Sequence, residues 1–397
     1  MTKQAMALQA MAPPQAASPA STLRTLQLGM GWFPQKAGGC NRVYFNLIQH
    51  LPRAGVEADG IVAGNAPLGS NATTVTAFAR NDSPLPLRLL KARNFIRERS
   101  TSQYDLACSH FALYTFPMLE ALRRMPIVVH FHGPWAAEGA VQGDREVIRQ
   151  AKLWVERRVY GRAGHFIVLS QAFARVLTES YGVSQEQISV VPGGVDCQRF
   201  ASTLSQAEAR QQLGFPTDRP IVFVVRRLAP RMGLQDLIAA AVRIREEVPD
   251  VLILIAGGGP IAPQLQQQIA DCGLTSHVRL LGFLADEDLP TAYRAADLSV
   301  VPTVALEGFG LVAAEALAAG VPVLVTPIGG LPEVVRDLSA DLILPAAGPE
   351  ALATGISAAL RGRLNLPSRA QCQDFASRYD WSCIAARTAA IYRKVSR

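Results

Sequence analysis

The stretch LEGFGLVAAEALAAGVPVLVTPIGGLPEV, residues 306–334, is the most apolar part of the chain, yet it carries Glu307 and Glu315. Its middle is nearly long enough to cross a bilayer, but Gly320 and Pro322 interrupt it and Glu315 adds a charge. A buried helix followed by a buried strand explains this composition better than a membrane span. The stretch therefore predicts a helix–strand unit of a covered parallel sheet, with a carboxylate inside the helix.

One of the two glutamates falls in a glycine-rich turn and the other in the helix that follows. We expect the helix to begin near Gly310, so that its free N–H groups can meet a diphosphate. Glu315 would then lie about one to two turns into the helix, within reach of a ribose diol. A carboxylate suits a diol because it only accepts hydrogen bonds and the two adjacent hydroxyls donate them. The alternative is that Glu315 is exposed on the helix and Glu307 is a simple turn residue.

Apolar strands alternate with helices throughout the chain. The first half predicts strands at 23–30, 104–110, 126–132 and 165–170, with helices at 41–55 and 144–163. The second half predicts strands at 219–228, 250–259, 277–283, 297–303 and 321–327, separated by helices such as 233–248. Continuous Val, Ile and Leu runs are typical of parallel strands that helices cover on both faces. The predicted fold class is therefore α/β, with two successive doubly wound parallel-sheet domains.

The length of 397 residues fits two domains of about 150 to 200 residues each. We predict a disordered Ala/Pro/Gln tail, a first Rossmann-like domain, a polar linker, a second Rossmann-like domain and a single final helix, over 1–22, 23–195, 196–215, 216–367 and 368–397. Ligands of such sheets collect at the carboxyl ends of the strands, and two facing sheets enclose a cleft. The site is expected there.

The formal net charge of +7, with a pI near 9.3, favours an anionic partner such as nucleotide phosphates or acidic lipid headgroups. The chain has no RNP-like motif, zinc-finger spacing or basic run, so we expect no nucleic acid partner. Six cysteines without a CxxC pair indicate reduced thiols in a cytoplasmic protein, not a zinc site or a disulfide framework. The N-terminal tail lacks a continuous apolar segment and is not predicted to be a signal peptide.

Four loops follow predicted strands and carry the residue types of a binding site: GMGWFPQKAGGC (29–40), HFHGPW (130–135), RRLAPRMG (226–233) and ALEGFG (305–310). Glycines at such turns let backbone N–H groups approach an anion, and a following helix adds its positive end. These loops predict phosphate chemistry.

The segment EGFGLVAAE resembles the E-x7-E signature of the retaining glycosyltransferases of family GT4, which have the GT-B fold, with two Rossmann-like domains facing across a cleft. The resemblance covers residues 24–395. KAGGCNRVYFNL resembles the glycine loop after the first strand of the family, and VVPGGVD, GGGP, HVRLLGFL, YRAADLSVVPT and GGLPEVV resemble its later motifs. DFASRYDWSCIAARTAAIYRKV is similar to the helix that crosses back to the first domain. The order and spacing of these motifs together are specific.

This resemblance implies that the second domain binds a nucleotide diphosphate sugar and the first an acceptor. The sugar would pass, with retained configuration and without a metal, to a hydroxyl of a glycan, lipid-linked or small-molecule acceptor, in polysaccharide or glycolipid biosynthesis. No cofactor besides the donor is implied. Arg side chains and helix N-termini would neutralise the leaving diphosphate as an oxocarbenium-like state forms.

The resemblance also implies roles for individual residues. Glu315 would hold the ribose, and three residues would be catalytic: Glu307 at the donor sugar hydroxyls, His132 at the sugar near the reacting carbon, and Arg227 at the diphosphate. His130 is expected to be a satisfied core histidine. The other predicted binding residues surround the sugar and the diphosphate: Gly38, Gly39, Arg231, Phe309, Gly310 and Leu311.

One position departs from the family. Where the family motif R-L-x-x-x-K-G has lysine, this chain has Met232, and a missing cationic donor near an oxyanion can cost about 3 to 4 kcal/mol. Either Arg231 replaces the charge or the activity is weak. The alternative functions are therefore a catalytically weak or inactive nucleotide-sugar-binding protein and a GT-B nucleotide-sugar epimerase.

Two other enzyme classes are disfavoured. A nicotinamide dehydrogenase would have a third glycine of G-x-G-x-x-G where this chain has Pro34. A phosphorylase of the usual form needs a lysine for pyridoxal in the second half, and none lies between Lys152 and Lys394.

The segment LPLRLLKARNFIRERS (85–100) predicts a basic helix with an apolar stripe of Leu85, Leu89, Ala92 and Ile96. Such a helix could rest on an anionic membrane, which would place the protein peripherally at the inner face. A helix docked on its own sheet with a solvated basic face is the interpretation we favour. The basic helix at 144–163 has the same two interpretations.

Overall fold

The strands form two separate sheets, in a computed structural model that describes residues 22–65, 74–141 and 143–396. All strand pairs within both sheets are parallel, and helices connect most successive strands. This arrangement confirms the predicted α/β class with two doubly wound sheets. The predicted tail over 1–22 lies, up to residue 21, outside the described residues.

The first sheet has seven strands in the order β3-β2-β1-β4-β5-β6-β7. The strands are β1 Leu23–Gly31, β2 Val56–Ala63, β3 Val75–Ala79, β4 Leu106–Ser109, β5 Ile127–Phe131, β6 His165–Val168 and β7 Ile188–Val190. The helices of this half are α1 Gly39–His50, α2 Leu85–Arg97, α3 Ala112–Thr115, α4 Trp135–Val141, α5 Glu146–Tyr160 and α6 Gln171–Tyr181. Strands β2, β3 and β7 were not predicted.

The second sheet has five strands in the order β10-β9-β8-β11-β12. They are β8 Ile221–Val225, β9 Leu252–Ala256, β10 Val278–Gly282, β11 Leu298–Val301 and β12 Val323–Val325. The helices that precede and surround this sheet are α7 Cys197–Phe200, α8 Gln206–Gln212, α9 Leu234–Glu247, α10 Ala262–Asp271, α11 Leu289–Ala295, α12 Leu311–Ala318, α13 Leu331–Val335 and α14 Pro349–Leu360. The chain then continues into α15 Arg369–Ala376 and α16 Trp381–Val395.

The sheets are covered because their strands are apolar on both faces and their helices on one. All five residues of β9, LILIA, are buried. Helix α9 buries Leu234, Leu237, Ile238 and Ala241, which recur at the three- and four-residue spacing of one helical face. Burial of this periodic face explains why the sequence folds as a helix between two buried strands.

The strand order places the site. In each sheet the order reverses beside the first strand, between β1 and β4 and between β8 and β11. The loops that leave these strands diverge to opposite sides and open a crevice for ligands. Three of the four predicted site loops, after β1, β8 and β11, begin at these two points.

The apolar stretch at 306–334 folds into α12 and β12, as predicted. Both are buried in the second domain. Among the described residues, no helix combines the length and apolarity required to span a bilayer.

The end of the chain packs against the first domain, where α16 contacts α1. The prediction of one continuous final helix was wrong, because α15 and α16 are separated by a 3-10 turn and by Asp380, which caps α16 by accepting from the Ser382 N–H. The predicted linker also contains regular structure: Ser205 and Glu208 form a capping box at the start of α8.

Candidate functional site

The loop 305–310 of the second domain lies directly against the first domain. A Cβ atom on Gly308 would approach the Phe173 ring of α6 to 2.6 Å, and one on Gly193 would approach Phe309 and Leu311 to 2.7 Å. The absence of side chains at these two glycines is what lets the domains meet this closely. Glu333 of α13 strengthens the contact, because its carboxylate accepts hydrogen bonds from the N-terminal amides of α6.

Two helix N-termini approach each other across the cleft. Helix α1 begins after Gly38 and α12 begins after Gly310, both in positive-φ conformations (137° and 90°) that favour glycine. Neither helix has a side-chain cap, which leaves its first amides available to an anion. A Cβ on Gly39 would lie 4.0 Å from the Leu311 side chain. The structure thus brings together five predicted binding residues: Gly38, Gly39, Phe309, Gly310 and Leu311.

Glu307 lies in the loop that precedes α12, and its side chain reaches the end of strand β8. Its Oε2 atom accepts hydrogen bonds from Thr303 Oγ1 at 3.3 Å and from Arg226 Nη2. The preceding residue, Leu306, has φ of 54°, and among the described residues it is the one non-glycine with positive φ. Arg231 Nη1 holds that turn by donating to the Leu306 carbonyl at 2.8 Å. A turn held in a sparsely populated conformation is typical of functional sites.

Glu315 is buried in α12, with a side chain 8% exposed. Its interpretation as an exposed surface residue is therefore wrong. Arg42 Nη1 lies 3.5 Å from Glu315 Oε1, and the Tyr293 hydroxyl donates to Oε2 at 3.5 Å. Burial raises the pKa of Glu315, and the positive charges of Arg42 and Arg199 partly offset this rise. Glu315 is therefore a buried carboxylate in the first turns of α12, with a positively charged partner on the first domain.

The three arginines after β8 have different environments. Arg227 is exposed, and its charge acts on Glu138 of α4, across the cleft. Arg231 is mostly buried and lies 3.7 Å from the same Glu138 carboxylate. Arg226 is buried and forms an ion pair with Glu307. Sequence reasoning singled out Arg227 and Arg231 but missed Arg226.

Three histidines stack behind the cleft. His130 and His110 have ring centroids 4.2 Å apart, and His110 and His132 are 5.5 Å apart. His130 bonds the Tyr392 hydroxyl of α16 at 2.6 Å, which fits the expected core histidine. Burial lowers the pKa of His132 to about 4 and lowers those of the other two rings well below 6.5, assisted by their mutual repulsion. The cluster is therefore neutral near pH 7.

A directed hydrogen-bond chain assigns the proton on two of these rings, His110 and His132. Thr25 Oγ1 donates to the Glu57 carbonyl and must therefore accept from Gln27 Nε2, at 2.9 Å. Gln27 Oε1 then faces His110 Nε2 at 2.9 Å, so that nitrogen carries the proton. The neutral His110 ring accepts at Nδ1, 3.2 Å from His132 Nε2, which donates. His132 Nδ1 is left as an acceptor without a partner among the described residues.

That unpartnered nitrogen gives His132 a defined chemical capacity. Buried polar atoms in proteins are nearly always hydrogen-bonded, so one that is left open points to a ligand. A neutral Nδ1 lone pair can accept a hydrogen bond from a hydroxyl group but cannot donate one. His132 can therefore orient a hydroxyl of a bound molecule.

Four residues near this site were not predicted from the sequence. Arg42 and Glu138 are charged residues inside helices and resemble solvated positions in the sequence. Gln27 interrupts a buried strand, and His110 directly follows β4; a polar residue at a buried strand position was the available signal. Among the described residues, no group of three or more His, Cys, Asp or Glu side chains is arranged to hold a metal ion.

Two family models match the chain. The model for "Glycosyl transferases group 1" matches residues 205–378, and that for "Glycosyltransferase Family 4" matches residues 37–199. The matches follow the two domains and together include every predicted site residue.

Individual proteins are similar over most of the chain. A D-inositol 3-phosphate glycosyltransferase of Corynebacterium efficiens is 30% identical over 390 residues, covering 91% of each chain. A GDP-mannose-dependent alpha-(1-6)-phosphatidylinositol monomannoside mannosyltransferase of Mycolicibacterium smegmatis is 35% identical over 196 residues, covering 48% of this chain and 50% of its own. The structure of Anabaena HepE in complex with UDP-glucose superposes with a TM-score of 0.75 at 24% identity, covering 94% of this chain and 99% of its own, and confirms the predicted GT-B fold.

Proposed function

Since this chain belongs to the group 1 (family GT4) glycosyltransferases and is itself a glycosyltransferase, we propose that it moves a sugar from a nucleotide diphosphate sugar to an acceptor hydroxyl with retained anomeric configuration. The observation that carries this proposal is the pair of uncapped helix N-termini, α1 and α12, which meet at Gly39 and Leu311, with Glu307 and Glu315 beside them. Two neighbouring positive helix ends suit a diphosphate, and the two carboxylates suit the hydroxyls on either side of it.

The reaction needs one bond to break and one to form on the same face of the sugar. The bond between the anomeric carbon and the diphosphate oxygen breaks, and its electron pair stays on the diphosphate. The acceptor oxygen bonds to the anomeric carbon, and its proton passes to the leaving diphosphate oxygen. Charge therefore accumulates on the diphosphate, where the helix ends and Arg227 would stabilise it. This neutralisation supports a metal-independent reaction.

The carboxylates and the histidine would orient the donor. Glu315 would accept from the ribose hydroxyls and Glu307 from the hydroxyls of the transferred sugar. His132, with its acceptor nitrogen open, would take a further sugar hydroxyl near the reacting carbon. Positioning of this kind lowers the barrier because the reacting atoms are held close before the bond breaks.

The acceptor is expected on the first domain, where one surface suits a lipid-linked molecule. Side chains of Leu85, Leu87 and Leu90 on α2 and of Val147, Ile148 and Trp154 on α5 are 40% to 80% exposed. Phe116 packs against Trp154 at 5.0 Å in a turn that also contacts α2, which joins the two helices into one surface. Exposed basic residues lie around these apolar side chains: Lys91, Arg93, Arg97, Arg157 and Arg158. We call this surface of α2 and α5 the basic apolar face.

Such a face fits the interface of an anionic bilayer, where apolar side chains enter and basic ones stay among the headgroups. It supports a peripheral position at the cytoplasmic face of a membrane and a role in glycolipid or polysaccharide biosynthesis. Ala92 and Ile96 of the predicted stripe are buried in the core, so α2 is docked on its own domain as expected. Leu85, Leu87 and Leu90 remain exposed and support the membrane contact.

The test is a transfer assay with UDP-glucose, GDP-mannose and ADP-glucose as donors. Inositol 3-phosphate, phosphatidylinositol and a lipid extract would serve as acceptors, with mass spectrometry and NMR of the product. We expect nucleotide release that depends on an acceptor and an α-linked product from an α-linked donor. Nucleotide binding without transfer or hydrolysis of any donor would favour the inactive binding protein. A product with inverted configuration would contradict the retaining mechanism.

A further inference from the structure

Arg226 is an unusual residue to find inside the second domain. It directly follows β8, and only 7% of its side chain is exposed, whereas its neighbour Arg227 is exposed. Charged side chains are rarely buried unless an opposite charge and hydrogen bonds compensate for the lost water. Glu307 supplies the opposite charge, and the same carboxylate is the residue proposed to hold the donor sugar.

The hydrogen bonds of the guanidinium group are unevenly distributed. Nη2, which has two hydrogens, donates to Glu307 and to the Thr303 hydroxyl at 2.6 Å, and the Met232 sulfur lies 2.8 Å from the same nitrogen. Nε is buried and has no partner among the described residues. A guanidinium group has five N–H donors, so part of this cation remains free for an anionic ligand at the cleft.

The contact with Met232 explains the departure from the family motif. Met232 is buried at the end of the 3-10 turn Pro230–Met232, and its side chain ends against Arg226 Nη2. A lysine at position 232 would bring its ammonium group to this same place, beside Glu307 and Thr303. The guanidinium of Arg226 therefore occupies the location of the expected ammonium, and a neutral thioether avoids a second charge next to it.

We propose that Arg226 is the cationic catalytic residue that contacts the sugar–diphosphate linkage. This chain would then carry at position 226 the positive charge that the family motif has at position 232. The proposal rests on the proposed transferase function. Glu307 and Thr303 fix the guanidinium before the donor binds, and its free N–H groups stabilise the diphosphate as negative charge accumulates there. Arg231, the replacement expected from the sequence, is instead bound to the Leu306 carbonyl.

An exchange of the two side chains tests this assignment. The variants are Arg226→Met, Met232→Lys and the double exchange, with Arg243→Met, a surface arginine 54% exposed, as control. We expect Arg226→Met to lower kcat by about 10²- to 10³-fold. The double exchange should recover kcat to within about tenfold of the parent, since the ammonium regains the same location. Met232→Lys alone should be less active than the double exchange, because two cations then adjoin.

Thermal unfolding establishes that each variant is folded. A folded Arg226→Met protein with parental kcat, or a double exchange no more active than Arg226→Met, would overturn the assignment while leaving the transferase function intact. A parent protein that transfers no sugar would refute the proposed function. In that case, calorimetry of nucleotide binding still tests the assignment of Arg226. The probes are UDP, GDP and ADP with their monophosphates. Arg226→Met should weaken diphosphate binding and leave monophosphate binding unchanged, and equal diphosphate affinity would overturn the assignment.

Discussion

Arg42 of α1 lies 3.5 Å from the Glu315 carboxylate of α12, so an ion pair joins the two domains inside the cleft. Arg42 also pairs with Asp286 at 2.6 Å and lies over the Phe33 ring at 4.7 Å. A ribose diol bound to Glu315 would meet Arg42 at the same carboxylate. Under the proposed function, nucleotide binding would depend on the ionisation of Glu315 and on the charge of Arg42 opposite it.

Acidification should weaken nucleotide binding at a higher pH than for an ordinary glutamate. Burial raises the pKa of Glu315, and Arg42 partly offsets this rise. Only the ionised carboxylate accepts both ribose hydroxyls, so affinity is full above the raised pKa and falls as the pH drops through it. Arg42→Gln should move this loss to higher pH, measured by calorimetry from about pH 5 to about pH 8. An unchanged pH profile in that variant would count against the coupling.

The two glutamates of the E-x7-E stretch should separate kinetically. Glu315→Ala removes charged acceptors from the ribose and should weaken nucleotide affinity about 10- to 100-fold. Glu307→Ala should instead lower kcat more than it changes the affinity for the nucleotide alone. Glu350→Ala is the matched control, because the Glu350 side chain is 90% exposed. Its nucleotide affinity and kcat should equal those of the parent. Parental activity in both site variants would refute the assignment.

The buried histidines should make the protein less stable in acid. Their pKa values are lowered in the folded state, so the unfolded chain binds more protons as the pH falls below about 6.5. Stability is therefore full above that pH and is lost below it, by up to about 1.4 kcal/mol per pH unit for each such histidine. Urea unfolding at several pH values measures the slope. Replacing His130 with Gln should reduce the slope, because one of the three lowered pKa values is then removed.

The hydrogen-bond chain from Thr25 to His132 can be interrupted far from the cleft. Thr25→Val keeps the shape but removes the oxygen that orients Gln27, so the His132 tautomer should become mixed. We expect kcat to fall about tenfold with little change in KM, the effect of one hydrogen bond. Nitrogen-15 NMR of labelled histidine reports the tautomer directly. Thr25→Ser keeps the hydroxyl and should restore both the tautomer and kcat; failure of this rescue would argue against the chain.

The basic apolar face should bind anionic vesicles. Leu90→Glu and Trp154→Glu place charge on this face and should reduce cosedimentation with vesicles that contain phosphatidylglycerol. Phe283→Glu is the matched control, because Phe283 is 83% exposed but belongs to the second domain. High salt should weaken binding of the parent, since exposed charges are screened. Equal sedimentation of all three variants and the parent would contradict a membrane role for α2 and α5.

The comparison of β9 with β2 and β7 shows why some strands were predicted from the sequence and others were not. Strand β9 reads LILIA and was predicted, whereas β2 reads VEADGIVA, with Glu57 exposed and Asp59 bonded to Tyr104. The first half of β2 alternates between buried and more exposed residues, and its second half is continuously buried. Neither of the two sequence patterns that indicate a strand therefore runs through the whole of β2. Strand β7 has only three residues and lies at the sheet edge, where burial is partial.

The parts of the candidate site that depend on glycine turns and on a local sequence motif could be predicted from the sequence. The E-x7-E spacing and the glycine turns indicated the cleft, because those features depend on local sequence. Arg226 was not predictable, because its burial depends on Glu307 and Thr303, which lie 81 and 77 positions away. The tautomer of His132 likewise depends on Thr25 and Gln27, from a different strand. Pairings between distant strands leave little trace in a single sequence.

The packing of α16 on the first domain has a consequence for biosynthesis. The Tyr392 hydroxyl lies 3.5 Å from Gln27 Nε2, a contact between residues 365 positions apart. During translation, the first domain emerges without the segment that completes its histidine cluster. The first domain therefore reaches its final packing only after α16, which follows the whole second domain in the chain, has left the ribosome. Completion of the first domain thus waits for synthesis of the second.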